Sequence, residues 1–261
     1  MPRFTANISF LFTERPLLER FAAAGAAGFQ AVECPYPYDH PVEALREAIA
    51  AAGVRLTGVN TPAGDRARGE WGFAGVPGQE QRFARDFDLA LSYAAALGAS
   101  MIHVLAGIVP AESRAAGLAT YLANLRMAAE KADAAGLTLL LEPLNARDAP
   151  GYLVSHCDEI AAVIAELGAP HVKLLFDAYH IQIMDGDLTR RLERHKDIVG
   201  HVQFAGVPER NEPDAGNEVN FPALIQALDA LGYQGWIGAE YRPRAGTEAG
   251  LGWLRPYLPG G

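Results

Sequence analysis

Apolar runs of strand length alternate with longer, Ala-rich amphipathic stretches along nearly the whole chain. Phe4–Phe10 reads as a strand and Pro16–Ala27 as a helix. Phe29–Cys34 is the second strand. The helix over Pro41–Ala52 has Pro at its start and Gly53 at its end, the placement that helix termini favour. Val54–Asn60 is the third strand. The rhythm continues with a helix over 79–97 stopped by Gly98, a strand over Ser100–Leu105 and a long helix over Ala111–Ala135 closed by Gly136. Leu137–Glu142 is the fifth strand and Ser155–Leu167 the next helix, with Ser155 as N-cap and Asp158 in the position of a capping-box partner. Val172–Asp177 leads to a helix near 181–195. Ile198–Gln203 leads to a helix over 221–231, and Gln234–Glu240 to a last helix near 247–257.

Strands that alternate with helices pair in parallel through right-handed crossovers. Eight such units in 261 residues predict one closed (β/α)₈ TIM barrel, a single domain over 1–261; about 250 residues is usual for this architecture. A doubly wound open sheet is the alternative. It needs fewer strands and usually a glycine-rich first turn, and no GxGxxG follows the first strand. Two stretches interrupt the rhythm, the polar, Gly-rich Thr61–Gly78 and the loop Phe204–Asn220. Long ordered loops of this kind commonly carry function.

Charge narrows the partners. The formal net charge is −9, which opposes binding to nucleic-acid backbone or anionic membrane, and no dense run of Lys and Arg offsets it. An anionic substrate therefore needs a local basic pocket. Cys34 and Cys157 are far apart and form no CxxC, so they read as free thiols in a reducing compartment. The first residues lack the apolar core and cleavage site of a secretion signal, and no apolar stretch is long enough to span a membrane. A cytoplasmic location is the expectation.

Four polar residues stand where strands end: Glu142 in LLLEPLN, Asp177 in LLFDAYH, Gln203 in HVQFAG and Glu240 in IGAEYRP. They lie about one βα unit apart, at the C-terminal ends of four consecutive strands, the face on which barrel enzymes build their sites. Three carboxylates and an amide oxygen converging there repel one another unless a cation joins them. An all-oxygen set favours a hard divalent ion, Mg²⁺ or Mn²⁺, over Zn²⁺. His201 and Gln203 are two apart and share a strand face, so either could be the third ligand, with Gln203 nearer the mouth. His180, three residues after Asp177, is placed to hydrogen-bond a substrate oxygen or shuttle a proton. His103 in MIHVL is a second candidate for the barrel mouth. Arg66, Arg68 and Arg242 are candidates for a substrate carboxylate, Arg68 and Arg242 foremost. The loop bearing Arg66 and Arg68 could fold over the mouth and exclude water. Its Trp71 and Phe73 could wall the pocket or meet a second subunit, which makes a homo-oligomer plausible.

These stretches resemble the hydroxypyruvate isomerase family within the xylose isomerase-like barrel superfamily. The resemblance runs through NTPAGDRARGEWGFAG (60–75), LLLEPLN (139–145), FDAYHIQ (176–182), HVQFAGVPERNEPDAGNEVNF (201–221) and GYQGWIGAEYRPRAGTEAGLGW (232–253). It implies a metal site at Glu142, Asp177, Gln203 and Glu240, with Glu142 and Glu240 as the proton-transfer pair. Related ketose 3-epimerases usually carry His at the third ligand position, so Gln203 favours the hydroxypyruvate isomerase side. The implied reaction interconverts hydroxypyruvate and 2-hydroxy-3-oxopropanoate through an enediolate that a metal stabilises. A 2-oxo-tetronate isomerase or a ketose 3-epimerase shares the metal and both glutamates. An endonuclease of the same superfamily acting at abasic sites needs more histidines and a basic face. A non-catalytic barrel that binds a sugar acid needs no proton-transfer pair, and it would not catalyse exchange of substrate C–H protons with D₂O.

Overall fold

The computed structural model describes residues 2–257. Eight strands close into a barrel in sequence order, every neighbour parallel, and β1 pairs with β8 to complete the ring. The strands are β1 Arg3–Asn7, β2 Ala31–Glu33, β3 Arg55–Asn60, β4 Met101–His103, β5 Thr138–Leu141, β6 Val172–Asp177, β7 Val199–Phe204 and β8 Trp236–Ala239. The helices are α1 Leu17–Ala26, α2 Val42–Ala52, α3 Glu80–Leu97, α4 Arg114–Ala134, α5 Cys157–Leu167, α6 Ala178–Met184, α7 Leu188–His195 and α8 Phe221–Ala230. Every predicted strand is present, six of them one to three residues shorter.

Alternation along the strands sorts the interior. Ile102, Leu139, Leu141, Leu174, Phe176, Val202 and Ile237 point outward into the core shared with the helices. The intervening Met101, Leu140 and Leu175 form a small separate cluster inside the barrel. Continuing that inward phase by two residues reaches His103, Glu142 and Asp177. The same alternation that fills the barrel with apolar side chains below places acids above.

Helix ends follow local chemistry. Gly53, Gly98 and Gly168 close α2, α3 and α5 in the left-handed conformation (φ +64°, +71° and +63°), which glycine adopts without a Cβ penalty. Three expectations change. The N-cap of α5 is His156 rather than Ser155, and its acidic partner is Glu159 rather than Asp158. Glu159 Oε2 accepts from the backbone N–H of both Ser155 and His156. The helix expected near 181–195 begins earlier and is two helices. Asp177 caps α6 by accepting from Tyr179 N–H at 2.8 Å, and the chain breaks at Asp185–Asp187, with Gly186 and Asp187 both at positive φ. The last segment forms short 3₁₀ turns over Glu248–Trp253 and Arg255–Tyr257, in keeping with the poor helix propensity of Gly250, Gly252 and Pro256.

Thr61–Gly78 is ordered against the barrel top. It holds a 3₁₀ turn over Arg66–Arg68 and a bridge from Gly72 to Ala106. Gly75 N–H donates to Ala106 O at 2.6 Å, and Asn124 Nδ2 to Ala74 O at 2.8 Å. Gly72 has φ +86°, and a Cβ there would lie 2.3 Å from Leu105 Cβ, so both conformation and space demand glycine. Cys34 and Cys157 are free and buried, and burial pushes both thiols up to about 12.

Candidate active site

A cavity of about 570 Å³ opens at the C-terminal ends of the strands. Glu142, His103, His180, Arg210 and Glu240 line its floor, and Ser9, Tyr36, Arg66, Trp71 and Arg242 are among its remaining walls. A second groove, of about 540 Å³, lies under the loop 213–222, and no such set of acids and histidines converges on it.

Glu142 and Asp177 are buried, and one carboxylate oxygen of each and a ring nitrogen of His180 lie within 4.8 Å of one another. His180 Nε2 is 3.6 Å from Asp177 Oδ2 and 3.9 Å from Glu142 Oε1. His180 Nδ1 accepts from the backbone N–H of Asn145 at 3.0 Å. A neutral imidazole accepting at Nδ1 carries its proton on Nε2. His180 therefore presents a donor to the carboxylates and is not itself a metal ligand in this tautomer. His103 Nε2 stands 3.5 Å from Glu142 Oε2.

Among the described residues, Glu142 Oε1, Asp177 Oδ2 and Gln203 Oε1 are buried oxygens that meet no hydrogen-bond donor. Buried acceptors without partners are costly. Those of Glu142 and Asp177 converge, and Gln203 is in register with Asp177 on the neighbouring strand; such a set would fit a hard divalent cation, which all-oxygen donors hold best. Glu240 sits differently. Its Oε1 accepts from Arg210 Nη2 at 2.6 Å and its Oε2 from Asn7 Nδ2 at 2.7 Å.

Arg210 was not among the candidates read from the sequence, yet it is the central cation of the site. Its guanidinium is buried, ion-paired to Glu240, 3.6 Å from Asp177 Oδ2 and 3.3 Å from Asp148 Oδ2. It lies over the rings of Phe10 and Tyr179, at 4.7 and 4.8 Å. Arg210 has φ +57°, and its carbonyl accepts from Arg242 N–H at 2.6 Å. The only signal in the sequence was an arginine inside a long loop after β7. Arg68, by contrast, stands exposed on the 3₁₀ turn and does not line the cavity. Arg66, exposed like Arg68, lines the cavity instead, its guanidinium 3.1 Å from the centre of the Trp71 ring. Arg242 lines the cavity. His201 turns its Nε2 to Glu33, 3.0 Å away.

Burial dominates the proton affinities. Glu142 is held well above the usual carboxylate range by burial first and then by Asp177 and Glu240. Burial raises Asp177 to about 6 and Glu240 to about 8, with Arg210 pulling each back. His103 is lowered to about 3 by burial and by His201, and His180 well below its usual value by burial, Arg210 and His103. Asp177 and Glu240 thus bind protons more tightly folded than unfolded. Their contribution to stability is complete below about pH 4 and is lost as pH rises through about 6 and about 8. The histidines act the other way, but only below about 6.5. Cation-stripped protein is therefore expected to melt several degrees lower at about pH 8.5 than at about pH 6.5, and saturating Mn²⁺ to flatten that decline. A melting midpoint that does not move over this window in stripped protein would contradict the charge balance described above.

The sequence profile of the xylose isomerase-like TIM barrels matches residues 21–257. The chain belongs to that family. Within the family it is 51% identical, over 99% of both chains, to the 2-oxo-tetronate isomerase of Cupriavidus necator. It is 40% identical to the hydroxypyruvate isomerase of Escherichia coli, over 98% of this chain and all of that one. A crystal structure of an AP endonuclease, family 2, from Brucella melitensis superposes with a TM-score of 0.96 at 44% identity, over 99% of this chain and all of that one. The chain is an isomerase of this family, of the aldose–ketose type. No helix among the described residues is long and apolar enough to cross a membrane.

Proposed function

We propose that the protein is a divalent-cation-dependent isomerase of short hydroxy-oxo acids, interconverting hydroxypyruvate and 2-hydroxy-3-oxopropanoate. The observation that carries this reading is the set of unpartnered buried oxygens on Glu142, Asp177 and Gln203, together with the cavity that Glu142 and Glu240 both line. Glu142, Asp177, Gln203 and Glu240 would hold Mg²⁺ or Mn²⁺. A divalent cation there supplies positive charge for the oxygens of a substrate whose C–H proton is being removed.

The chain's own groups do the rest. One of Glu142 and Glu240 takes the proton from C3 of hydroxypyruvate, and a proton is returned to C2 by it or by the other. A carboxylate with raised proton affinity is, once ionised, a stronger base than a free one. Arg210 and Asn7 hold Glu240 by both oxygens, so its carboxyl plane is fixed before substrate arrives. His180 Nε2–H and His103 face the same space. They are placed to carry the hydroxyl proton from O3 to O2 as the carbonyl moves from C2 to C3. Asn145 keeps His180 in the donating tautomer.

Arg210 is committed to three carboxylates, which leaves Arg66 and Arg242 for the substrate carboxylate. Arg66→Ala is expected to raise KM at least about tenfold with a smaller change in kcat, the pattern of lost ground-state binding, whereas Arg68→Ala leaves both near the parent values. Steady-state kinetics on the two variants decides this, and equal effects would remove Arg66 from the role.

The 51% relative favours a second reading, a four-carbon 2-oxo-tetronate as substrate. The experiment that tests both is NMR of EDTA-stripped protein resupplied with Mg²⁺ or Mn²⁺, in D₂O, with each acid in turn. Cation-restored isomerisation with deuterium appearing at the carbon next to the carbonyl supports the mechanism, and the larger kcat/KM picks the substrate. Cation binding without exchange on either acid would overturn the proposed reaction.

A further inference from the structure

Glu33 takes no part in the steps above, yet it is a buried carboxylate at the C-terminal end of β2. Its Oε2 accepts from Gln203 Nε2 at 2.6 Å and its Oε1 from His201 Nε2 at 3.0 Å. Both partners lie two apart on β7 and so share a face. An ionised carboxylate only accepts, and an amide nitrogen only donates. Holding Nε2 against Glu33 therefore decides where the other end of the amide points. Gln203 Oε1 is turned away from Glu33, buried, and without a donor among the described residues.

The space for this pair comes from β8. Gly238 is in register with Gln203, and a Cβ there would fall 2.4 Å from Glu33 Oε1 and 2.7 Å from Gln203 Cγ. The glycine is needed for room, since any side chain would drive into the contact.

We infer that Glu33 is a positioning residue whose carboxylate locks the Gln203 amide so that Oε1 faces the divalent cation, with Gly238 leaving the space in which the two side chains meet. The inference rests on the proposed cation site. Without the lock, the Gln203 amide is free to turn over and present an N–H, which repels a cation. His201, bound to the other carboxylate oxygen, braces Glu33 and is not a ligand through Nε2.

The test is Mn²⁺ binding to stripped protein, read from the loss of the free-ion electron paramagnetic resonance signal, which needs neither substrate nor turnover. Glu33→Gln is expected to weaken binding about tenfold or more, the lower end of the roughly 10–100-fold usual for residues that orient ligands. Gly238→Ala is expected to weaken it as well while leaving every charge in place, a result that a purely electrostatic role of Glu33 would not produce. The reciprocal pair Glu33→Gln with Gln203→Glu rebuilds the contact with donor and acceptor exchanged. It is expected to recover most of the affinity lost in Glu33→Gln. Melting curves without cation separate these effects from unfolding, and if Glu33→Gln does not fold, Gly238→Ala decides alone, with unchanged affinity overturning the lock. Unchanged affinity in Glu33→Gln, or losses that simply add in the reciprocal pair, overturns the lock and leaves the cation site standing. No Mn²⁺ binding by the unaltered protein overturns the site and the lock together.

Discussion

Glu142→Gln and Glu240→Gln are each expected to lower kcat by roughly 10²–10⁴-fold, the contribution usual for a positioned acid or base. Glutamine matches glutamate in size and can still accept one hydrogen bond, but it can neither take nor return a proton at the substrate carbon. The two variants should differ in a second respect. Glu142 Oε1 is a buried oxygen without a donor, so Glu142→Gln is expected to weaken Mn²⁺ binding as well as turnover. Glu240 is held by Arg210 and Asn7, so much of its loss should fall on kcat. Steady-state rates, Mn²⁺ titration and solvent-deuterium exchange on the same preparations measure all three. Turnover within about tenfold of the parent in either variant would remove that glutamate from the proton transfer.

Arg210→Leu is expected to destabilise the cation-free protein by about 3–5 kcal/mol at high pH, the cost typical of stripping a buried charge network of one partner. The guanidinium reaches Glu240, Asp177 and Asp148 from a buried position. It is also what draws the proton affinities of Glu142, Asp177 and Glu240 downward against burial. Without it those carboxyls hold their protons to still higher pH. The loss should therefore be small near pH 5, where they are neutral, and grow as pH rises through about 6 and about 8. Mn²⁺ should restore part of the stability, because a divalent ion supplies positive charge to the same carboxylates. Denaturant unfolding at pH 5 and pH 8.5, with and without Mn²⁺, checks the sign and the size. A loss below about 1 kcal/mol at the higher pH would show that the arginine does not carry the charge balance of the site.

The architecture was legible because it rests on local periodicity. Eight apolar runs separated by amphipathic helices admit few parallel arrangements, and a closed barrel follows from their number and length. The strand-end residues were legible for the same reason. Alternation along a strand and the common direction of parallel strands carry Glu142, Asp177, Gln203 and Glu240 to one face whatever the loops do. Helix stops at Gly53 and Gly98 are likewise local, since a left-handed residue there needs only glycine.

What remained for the tertiary structure lies in loops and in choices between near neighbours. Arg66 and Arg68 are equivalent by sequence. The turn that Asp65 caps, by accepting from Ala67 N–H, sends Arg66 over Trp71 and leaves Arg68 in solvent. Arg210 gave no local sign, because a backbone at φ +57° and contacts with residues 30 to 62 positions away bring it in. Asn7 and Glu33 sit at the ends of strands far from Glu240 and Gln203 in sequence, and only closure of the barrel makes them neighbours. The chain by itself therefore determined the barrel and the ring of acids, which depend on period and direction. Closure and long-range loop contacts decided which cation balances those acids and which way the amide of Gln203 points, because buried charge and hydrogen-bond geometry depend on atoms that the sequence does not place together.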